Sequence, residues 1–244
     1  MVNPKPDPFC NPSEMGLEEI IGASKRNNFV VKLPYGVLKE GHVLLIPRAH
    51  MTTMGDMPED MIGEYTELAN RLIGTLEDTY RVSPVVFEHG ERGQTIPHAH
   101  EIYVPLVSEC PVHGKFCVQD LHTEVRDIIT RLDGHVLEYS GGDRSTTDFA
   151  HKRLFVRKGG RDIRPYLALR TFEKDGLYVP DDHPEFTSIF RKIIAEHVPR
   201  VTLEGYTGNG NPLNDWQAIK DLPAAKARDQ ELREKTRKAL KGKL

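Results

Sequence analysis

The chain has 244 residues, of which 38% are hydrophobic and 28% are charged, and its formal net charge at pH 7 is −3. This is the composition of an ordinary globular protein, and the length suffices to bury a core without disulfides or metal as a precondition. The small net charge gives no global attraction to nucleic acid or to anionic membranes. Because the 3 cysteines do not form a dense, even set and no apolar run is long enough to span a bilayer, we expect a cytoplasmic protein.

The first half of the chain predicts an antiparallel α+β domain. Residues 1–17 are rich in proline, asparagine and charge, and we expect them to be irregular. Apolar residues recur at three- and four-residue steps from Pro58 to Tyr80, which predicts one long amphipathic helix. Short apolar runs predict two strands before this helix and two after it, at 29–33, 42–47, 85–88 and 100–106. Strands joined in this way, with an inserted helix, favour an antiparallel α+β fold over a parallel nucleotide-binding fold.

The second half predicts an α+β extension followed by a basic helical tail. Helices are predicted at 118–132 and 185–197, strands at 135–139, 153–157 and 165–171, and a loop at 205–212. Residues 223–244 are rich in alanine, lysine, arginine and glutamate, and we expect a solvated helix or a frayed tail there. The predicted organisation is a first domain over 1–110, the extension over 111–222 and the tail over 223–244.

A polar loop followed by two histidines carries the chemical signal. Gly93, Gln94 and Thr95 precede His98 and His100, which share one face of a predicted strand because they are two residues apart. Imidazole can attack phosphorus and leave again, since its unperturbed pKa lies near neutrality. The glycine lets backbone N–H groups approach a phosphate, and the glutamine and threonine side chains add donors. The pattern favours a covalent nucleotidyl-histidine intermediate whose charge is held by preorganised donors.

These motifs resemble the histidine-triad (HIT) superfamily. The segment from Gly41 to His50 (GHVLLIPRAH), the amphipathic helix, the Gly-Gln-Thr loop and the pair His98-x-His100 follow one another in the family's order and spacing. The likeness covers about residues 8–107, which is under half of the chain. It implies that the first domain, over 1–110, is a HIT-like nucleotide-binding domain, with an antiparallel sheet and a long inserted helix.

The resemblance also implies roles for individual residues. His100 matches the nucleophile that becomes transiently nucleotidylated, while His98 and His42 match the histidines that orient it. The loop residues matched to contacts with the phosphate and the leaving group are Gly93, Gln94 and Thr95.

The activity implied is that of a nucleotide hydrolase or nucleotidyltransferase acting at the α-phosphate of a nucleoside phosphoanhydride or phosphoramidate. The expected partner is a nucleotide substrate, with pairing into a homodimer as in most of the family and with neither a membrane nor nucleic acid as a partner. No redox cofactor and no obligatory catalytic metal is implied.

Ile102 departs from the family pattern. It stands at the third triad position, where family members carry histidine or, in the transferase branch, glutamine; isoleucine has no hydrogen-bond donor. Loss of one donor at a charge-stabilising site costs about 10²–10³ in rate. The alternative function is therefore a non-catalytic nucleotide-binding or interaction protein with a degenerate triad. A nucleic-acid end-processing enzyme, which rests on the basic tail alone, is a third hypothesis.

The sequence implies no cofactor, and the alternative that it suggests is a zinc ion. Cys110, His113 and Cys117 have ligand-like spacing, but Cys-x-x-His-x-x-x-Cys is not a standard zinc finger. Some HIT relatives hold a structural zinc near the N-terminus with a Cys-x-x-Cys pair, whereas this chain has Cys10 alone there. Two further histidines, His50 and His89, are assigned no role.

Overall fold

An antiparallel sheet of eight strands forms the centre of the described structure. The computed structural model describes residues 7–11, 15–90, 94–106, 118–131, 137–138, 166–171, 174–180, 189–198 and 200–244. The strands in chain order are β1 (Ile20–Ala23), β2 (Phe29–Lys32), β3 (Val43–Pro47), β4 (Pro84–Glu88), β5 (Glu101–Pro105), β6 (Leu137–Glu138), β7 (Tyr166–Thr171) and β8 (Lys174–Pro180). Their order across the sheet is β1-β2-β3-β5-β4-β7-β8-β6, so β5 is an interior strand.

Five α-helices accompany this sheet in the described part of the chain. They are α1 (Ile62–Tyr80), α2 (Val118–Arg131), α3 (Ile189–Glu196), α4 (Trp216–Asp221) and α5 (Pro223–Leu240). The predicted α+β class, with an antiparallel sheet and a long inserted helix, is confirmed. Strands β1 and β8 were not predicted from the sequence, and the predicted strand at 153–157 lies outside the described residues. No helix in the described part of the chain is both long and apolar enough to cross a membrane.

The long helix α1 forms because its apolar residues recur on one side. Tyr65, Leu68, Leu72 and Leu76 are each at most 1% exposed and pack in one cluster with the sheet. The helix ends at Arg81, whose φ of 60° is left-handed and whose N–H donates to the Glu77 carbonyl. This ending turns the chain directly into β4, beside β5.

Strands β2 to β5 are buried on both faces, and β5 shows the division most clearly. Tyr103 packs in the cluster that contains the α1 side chains, whereas Ile102 and Val104 pack in the cluster that contains Phe190 of α3. Successive side chains of a strand point to opposite faces. One face of β5 therefore belongs to α1, and the other faces the extension and the cavity described below.

The tail forms a helix, as predicted, but one side of this helix, α5, is docked onto the first domain, so the tail is not frayed. Val37 N–H donates to Asp229 Oδ1 at 2.7 Å, and Gly41 N–H donates to Thr236 Oγ1 at 2.9 Å. Leu240 is fully buried in the α1 cluster. Asp229 and Thr236 are polar, so the side of α5 that docks lacks the apolar pattern of a core-facing helix. These two residues instead accept hydrogen bonds from backbone N–H groups.

Replacing Leu240 by alanine tests whether α5 is part of the core. The variant should lose about 2–5 kcal/mol of unfolding free energy, because a buried leucine leaves a cavity when it is truncated. The matched control is Leu17→Ala, since Leu17 is 57% exposed; it should change stability by less than about 0.5 kcal/mol. Urea denaturation of both variants measures this, and equal midpoints would show that α5 does not contribute to the core.

Candidate functional site

A cavity of about 520 Å³ lies beside the end of β5 that carries the histidines. Its lining residues are Pro8, Phe9, Lys32, Pro34, Tyr35, His42, Leu44, His89, Thr95, Ile96, His100, Ile102, Arg191 and Lys220. Of the site residues predicted from the sequence, the cavity brings together His42, Thr95 and His100. Gly93 lies outside the described residues.

His100 is held with its nucleophilic nitrogen available. Its Nδ1 lies 2.8 Å from the carbonyl oxygen of His98; because a carbonyl only accepts, Nδ1 carries the proton and Nε2 has the lone pair. Burial lowers the pKa of His100 below its usual value, outweighing the hydrogen bond to the His98 carbonyl. The imidazole is therefore neutral at pH 7, which is the form that can attack phosphorus.

His42 places a hydrogen-bond donor in the cavity wall. The Leu38 N–H donates to its Nδ1 at 3.1 Å, so the proton of the neutral ring is on Nε2. The side chain is fully buried, and Nε2 has no hydrogen-bond partner among the described residues. Burial, followed by the charge of Arg191, holds the pKa of His42 well below its usual value. A buried N–H facing a cavity is a ready donor for an oxygen of a bound ligand.

His98 does not line the cavity. Its Nε2–H donates to the Pro47 carbonyl at 2.7 Å, and its Nδ1 lies 3.0 Å from Asp7 Oδ2. The Phe9 ring meets the edges of both His98 and His100, with centroid distances of 5.7 and 5.8 Å. His98 thus contacts the nucleophile through its backbone carbonyl, while its side chain belongs to a second cluster.

The two loop residues predicted as phosphate contacts separate in the structure. Thr95 lines the cavity and is exposed. Gln94 is buried outside the lining, and its Nε2 donates to the Thr52 carbonyl at 2.9 Å. In this arrangement the Gln94 amide N–H holds the loop, and its role toward a substrate remains a prediction.

Sequence reasoning missed His89, which the sheet register brings to the site. Phe87 of β4 pairs with Ile102 of β5, and continuing this antiparallel register by two residues places His89 opposite His100. Burial first, and then the charges of His100 and Arg191, lower the pKa of His89 to about 3. A hairpin register predicted from the two strands would have identified it.

Three cations also reach the cavity without having been predicted. Lys32 comes from β2, Arg191 from α3 and Lys220 from α4. Two of them belong to the extension, more than 90 residues beyond His100 in the chain, so no local pattern pointed to them. The guanidinium Nη2 of Arg191 donates to the carbonyls of Gly36 and Leu213, which holds this buried cation in the wall.

A second cluster gathers four metal-ligand side chains beside His98. Asp7, Cys10, His50 and His98 each offer one ligand atom, and these atoms lie within 4.8 Å of one another. Cys10 Sγ lies 3.4 Å from His50 Nδ1 and 3.5 Å from His98 Nδ1, and Asp7 Oδ2 lies 2.8 Å from His50 Nδ1. A thiolate, two imidazoles and a carboxylate are ligands of a four-coordinate Zn²⁺ site.

In this cluster the Asp7 carboxylate is surrounded by hydrogen-bond donors. Although burial acts in the opposite direction, hydrogen bonds from Cys10, His98 and His50 lower the pKa of Asp7 well below its usual range. Burial and the neighbouring Asp7 raise the pKa of Cys10 to about 11, so its thiol stays protonated unless a cation binds beside it. The other zinc candidates, Cys110, His113 and Cys117, lie outside the described residues.

Comparison with known proteins agrees with the motif order. A family model, the HIT domain, matches residues 36–102. The chain contains a HIT domain. The resemblance predicted from the sequence is thereby confirmed, and the matched span includes His42, His98 and His100 and ends at Ile102.

One solved structure that resembles the chain is a hypothetical histidine triad nucleotide-binding protein from Sulfolobus tokodaii. It has 18% sequence identity and a TM-score of 0.34, over 62% of this chain and 96% of that chain. No curated protein matches the chain significantly.

The three buried histidines of the HIT domain site should make stability depend on pH. Burial keeps the folded-state pKa of His42, His89 and His100 below the usual 6.5. Below that pH the unfolded chain binds more protons than the folded one, so stability is complete above it and falls on acidification. Each proton difference lowers the unfolding free energy by about 1.4 kcal/mol per pH unit.

Urea midpoints between pH 7.5 and pH 5 measure this dependence. His89→Phe, at a position packed against Phe87 and Phe190, removes one titrating group and should make the fall shallower. A midpoint that rises on acidification, or the same slope in the variant, would contradict the assignment.

Proposed function

We propose that the HIT domain binds a nucleotide and transfers its nucleoside monophosphate to water or to a second acceptor through a nucleotidyl-histidine intermediate on His100. The observation that carries this proposal is the state of that side chain. It is neutral, its Nδ1–H donates to the His98 carbonyl, and it lines a cavity that is also lined by cationic side chains.

In the first step, Nε2 of His100 attacks the α-phosphorus. The new N–P bond forms as the bond from phosphorus to the leaving group breaks, and the electron pair departs with that group. His42 and Thr95 line the same cavity, and the His42 Nε2–H and the Thr95 hydroxyl are the donors proposed for the phosphoryl oxygens. The ring becomes cationic on nucleotidylation, and its Nδ1–H bond to the His98 carbonyl stabilises that charge.

In the second step, an acceptor oxygen attacks phosphorus and the N–P bond breaks. Water as the acceptor gives the nucleoside monophosphate, which is hydrolysis, whereas a phosphate or a sugar phosphate gives transfer. Water loses one proton to solvent as it attacks, whereas a phosphate or a sugar phosphate attacks through an oxygen that is already deprotonated. In both cases the electron pair of the N–P bond returns to His100, which becomes neutral again. Product analysis with and without phosphate-bearing acceptors distinguishes the two branches.

Ile102 favours the alternative, a binding protein without turnover. Its side chain lines the cavity and is 5% exposed, so the third triad position presents an apolar surface to the ligand. That alternative predicts nucleotide binding with no covalent adduct. We favour catalysis because the nucleophile, its tautomer and the His42 donor do not depend on this position.

Exchange of His100 for alanine tests the nucleophile. Wild-type protein incubated with adenylyl, guanylyl and uridylyl donors should gain the mass of one nucleoside monophosphate, and His100→Ala should gain none because it lacks the attacking nitrogen. His197→Ala is the matched control, since His197 pairs with Glu124 away from the cavity lining, and it should label like wild type. Nucleotide binding without any adduct would establish the alternative, and an adduct on His100→Ala would refute the assignment.

We further propose that Asp7, Cys10, His50 and His98 hold a Zn²⁺ ion. Four protein ligands close the coordination of such an ion, so it supplies structure rather than a catalytic water. The Pro47 carbonyl accepts the Nε2–H of His98 and thereby directs Nδ1 of that ring to the metal position. The ion would hold in place the segment that carries Phe9, whose ring contacts His100.

Metal analysis of three variants tests this site against the one suggested by the sequence. Wild type should bind Zn²⁺ at one ion per chain, and Cys10→Ala should weaken binding by at least about 100-fold, since even outer-shell partners are worth 10- to 100-fold. Cys110→Ala and Cys117→Ala should bind as wild type does. Zinc lost from those two variants but retained by Cys10→Ala would move the site to the later cysteines.

A further inference from the structure

His89 stands beside both the nucleophile and the triad position that lacks a donor. The pairing of Phe87 with Ile102, continued by two residues, places His89 opposite His100 and diagonal to Ile102. Opposite side chains of an antiparallel pair share one face, with Cβ atoms about 4.5–5.5 Å apart, and diagonal neighbours stay within reach of an aromatic ring. All three residues, His89, His100 and Ile102, line the cavity.

The position and the tautomer of the His89 ring are defined by its contacts. The Arg191 N–H donates to Nε2 at 3.4 Å, so in the neutral ring the proton is on Nδ1. The ring stacks on Phe190 at a centroid distance of 6.0 Å and an interplanar angle of 23°, and it meets the Phe87 ring edge-on at 5.2 Å. Burial is the largest cause that lowers the pKa of His89 to about 3, so this tautomer persists at pH 7.

The Nδ1–H of His89 is a donor that the protein itself does not use. His89 is 4% exposed, and Nδ1 has no hydrogen-bond acceptor among the residues that the structure describes. A buried N–H without an acceptor is unfavourable until an acceptor reaches it. Because the side chain lines the cavity, an oxygen of a bound ligand can be that acceptor.

The cations of the cavity are engaged by other groups of the protein. Lys32 belongs to β2, which β3 separates from β5, and the charge of Glu19 acts on its ammonium group. The guanidinium of Arg191 donates to two backbone carbonyls and is stabilised by the charge of Asp229. Neither residue follows the sheet register to the triad, whereas His89 does.

From this arrangement we propose that His89 supplies the donor that Ile102 cannot, through a hydrogen bond from its Nδ1–H to a non-bridging oxygen of the phosphoryl group that His100 attacks. The proposal rests on the nucleotidyl transfer proposed above. The N–P bond forms while the bond to the leaving group breaks, and the electron pair departs with that group. His89 keeps its proton throughout and stabilises the charge on the phosphoryl oxygen.

Two variants of His89 separate the donor from the ring. His89→Phe keeps an aromatic ring between Phe87 and Phe190 but has no N–H, whereas His89→Asn keeps an N–H on the nitrogen bonded to Cγ and has no ring. The rate constant for labelling of His100 should fall by about 10²-fold in His89→Phe and by less than about tenfold in His89→Asn. A role in packing alone predicts the reverse order.

The probes are ATP, GTP and UTP and the alkylamine phosphoramidates of AMP, GMP and UMP, and mass spectrometry follows the adduct. His197→Ala, which lies away from the cavity lining, should label at the wild-type rate.

A donor restored at the third triad position should make His89 dispensable. Adding Ile102→Gln to His89→Phe should raise the labelling rate constant by at least about tenfold, because glutamine carries an N–H at the position where isoleucine has none. A defect in packing at position 89 would persist in the double variant.

Sulfur substitution at the α-phosphorus tests the contact without any change at position 102, so it remains decisive if the double variant does not fold. Sulfur accepts a hydrogen bond more weakly than oxygen does. Of the Rp and Sp α-phosphorothioate forms of the accepted donor, wild type should label about tenfold more slowly with the one whose sulfur faces His89. His89→Phe should reduce this difference, and His197→Ala should preserve it.

The outcomes separate this proposal from the function on which it rests. If no donor labels wild type, the nucleotidyl transfer itself fails. If wild type labels and His89→Phe labels equally fast, or labels more slowly with the wild-type preference between the two phosphorothioates, the role of His89 is overturned while the nucleophile stands.

Discussion

The alternation of side chains along an interior strand is the constraint on which the site depends. Residues on one side of β5 pack against α1, and residues on the other side face the cavity. Glu101 lies on the α1 side and is fully buried. Its carboxylate accepts hydrogen bonds from the hydroxyls of Tyr65 and Tyr103, which stabilise it in the α1 core. A slip of one residue would turn His100 into that core and bring Glu101 to the cavity. The α1 contacts therefore also determine where the nucleophile points.

His98 links the two chemical centres of the HIT domain. Its ring faces the cluster of Asp7, Cys10 and His50, while its backbone carbonyl accepts the Nδ1–H of His100. The cluster and the nucleophile are thus joined through a single residue.

Local patterns predicted the first domain well, and long-range contacts explain most of what they missed. The helix α1 and the strands β2 to β5 were predicted because period and turn residues are local properties of the sequence. The pair His98 and His100 was visible for the same reason. The docking of α5 was not, because its contact stripe contains Asp229 and Thr236, which look like surface residues until the backbone N–H groups they accept from are known. Arg191 reached the cavity only through the packing of the extension, which no spacing encodes.

The contact between Gly41 and Thr236 joins residues 195 positions apart, and this separation has a consequence for synthesis. A ribosome that adds about 5–20 residues per second takes about 10–40 s to travel that distance. During this interval the nucleophile, the GHVLLIP strand and α1 already exist, while Arg191, Lys220 and the helix that docks at Val37 and Gly41 do not. The emerging chain therefore exposes the face that α5 later covers until that helix has been synthesised.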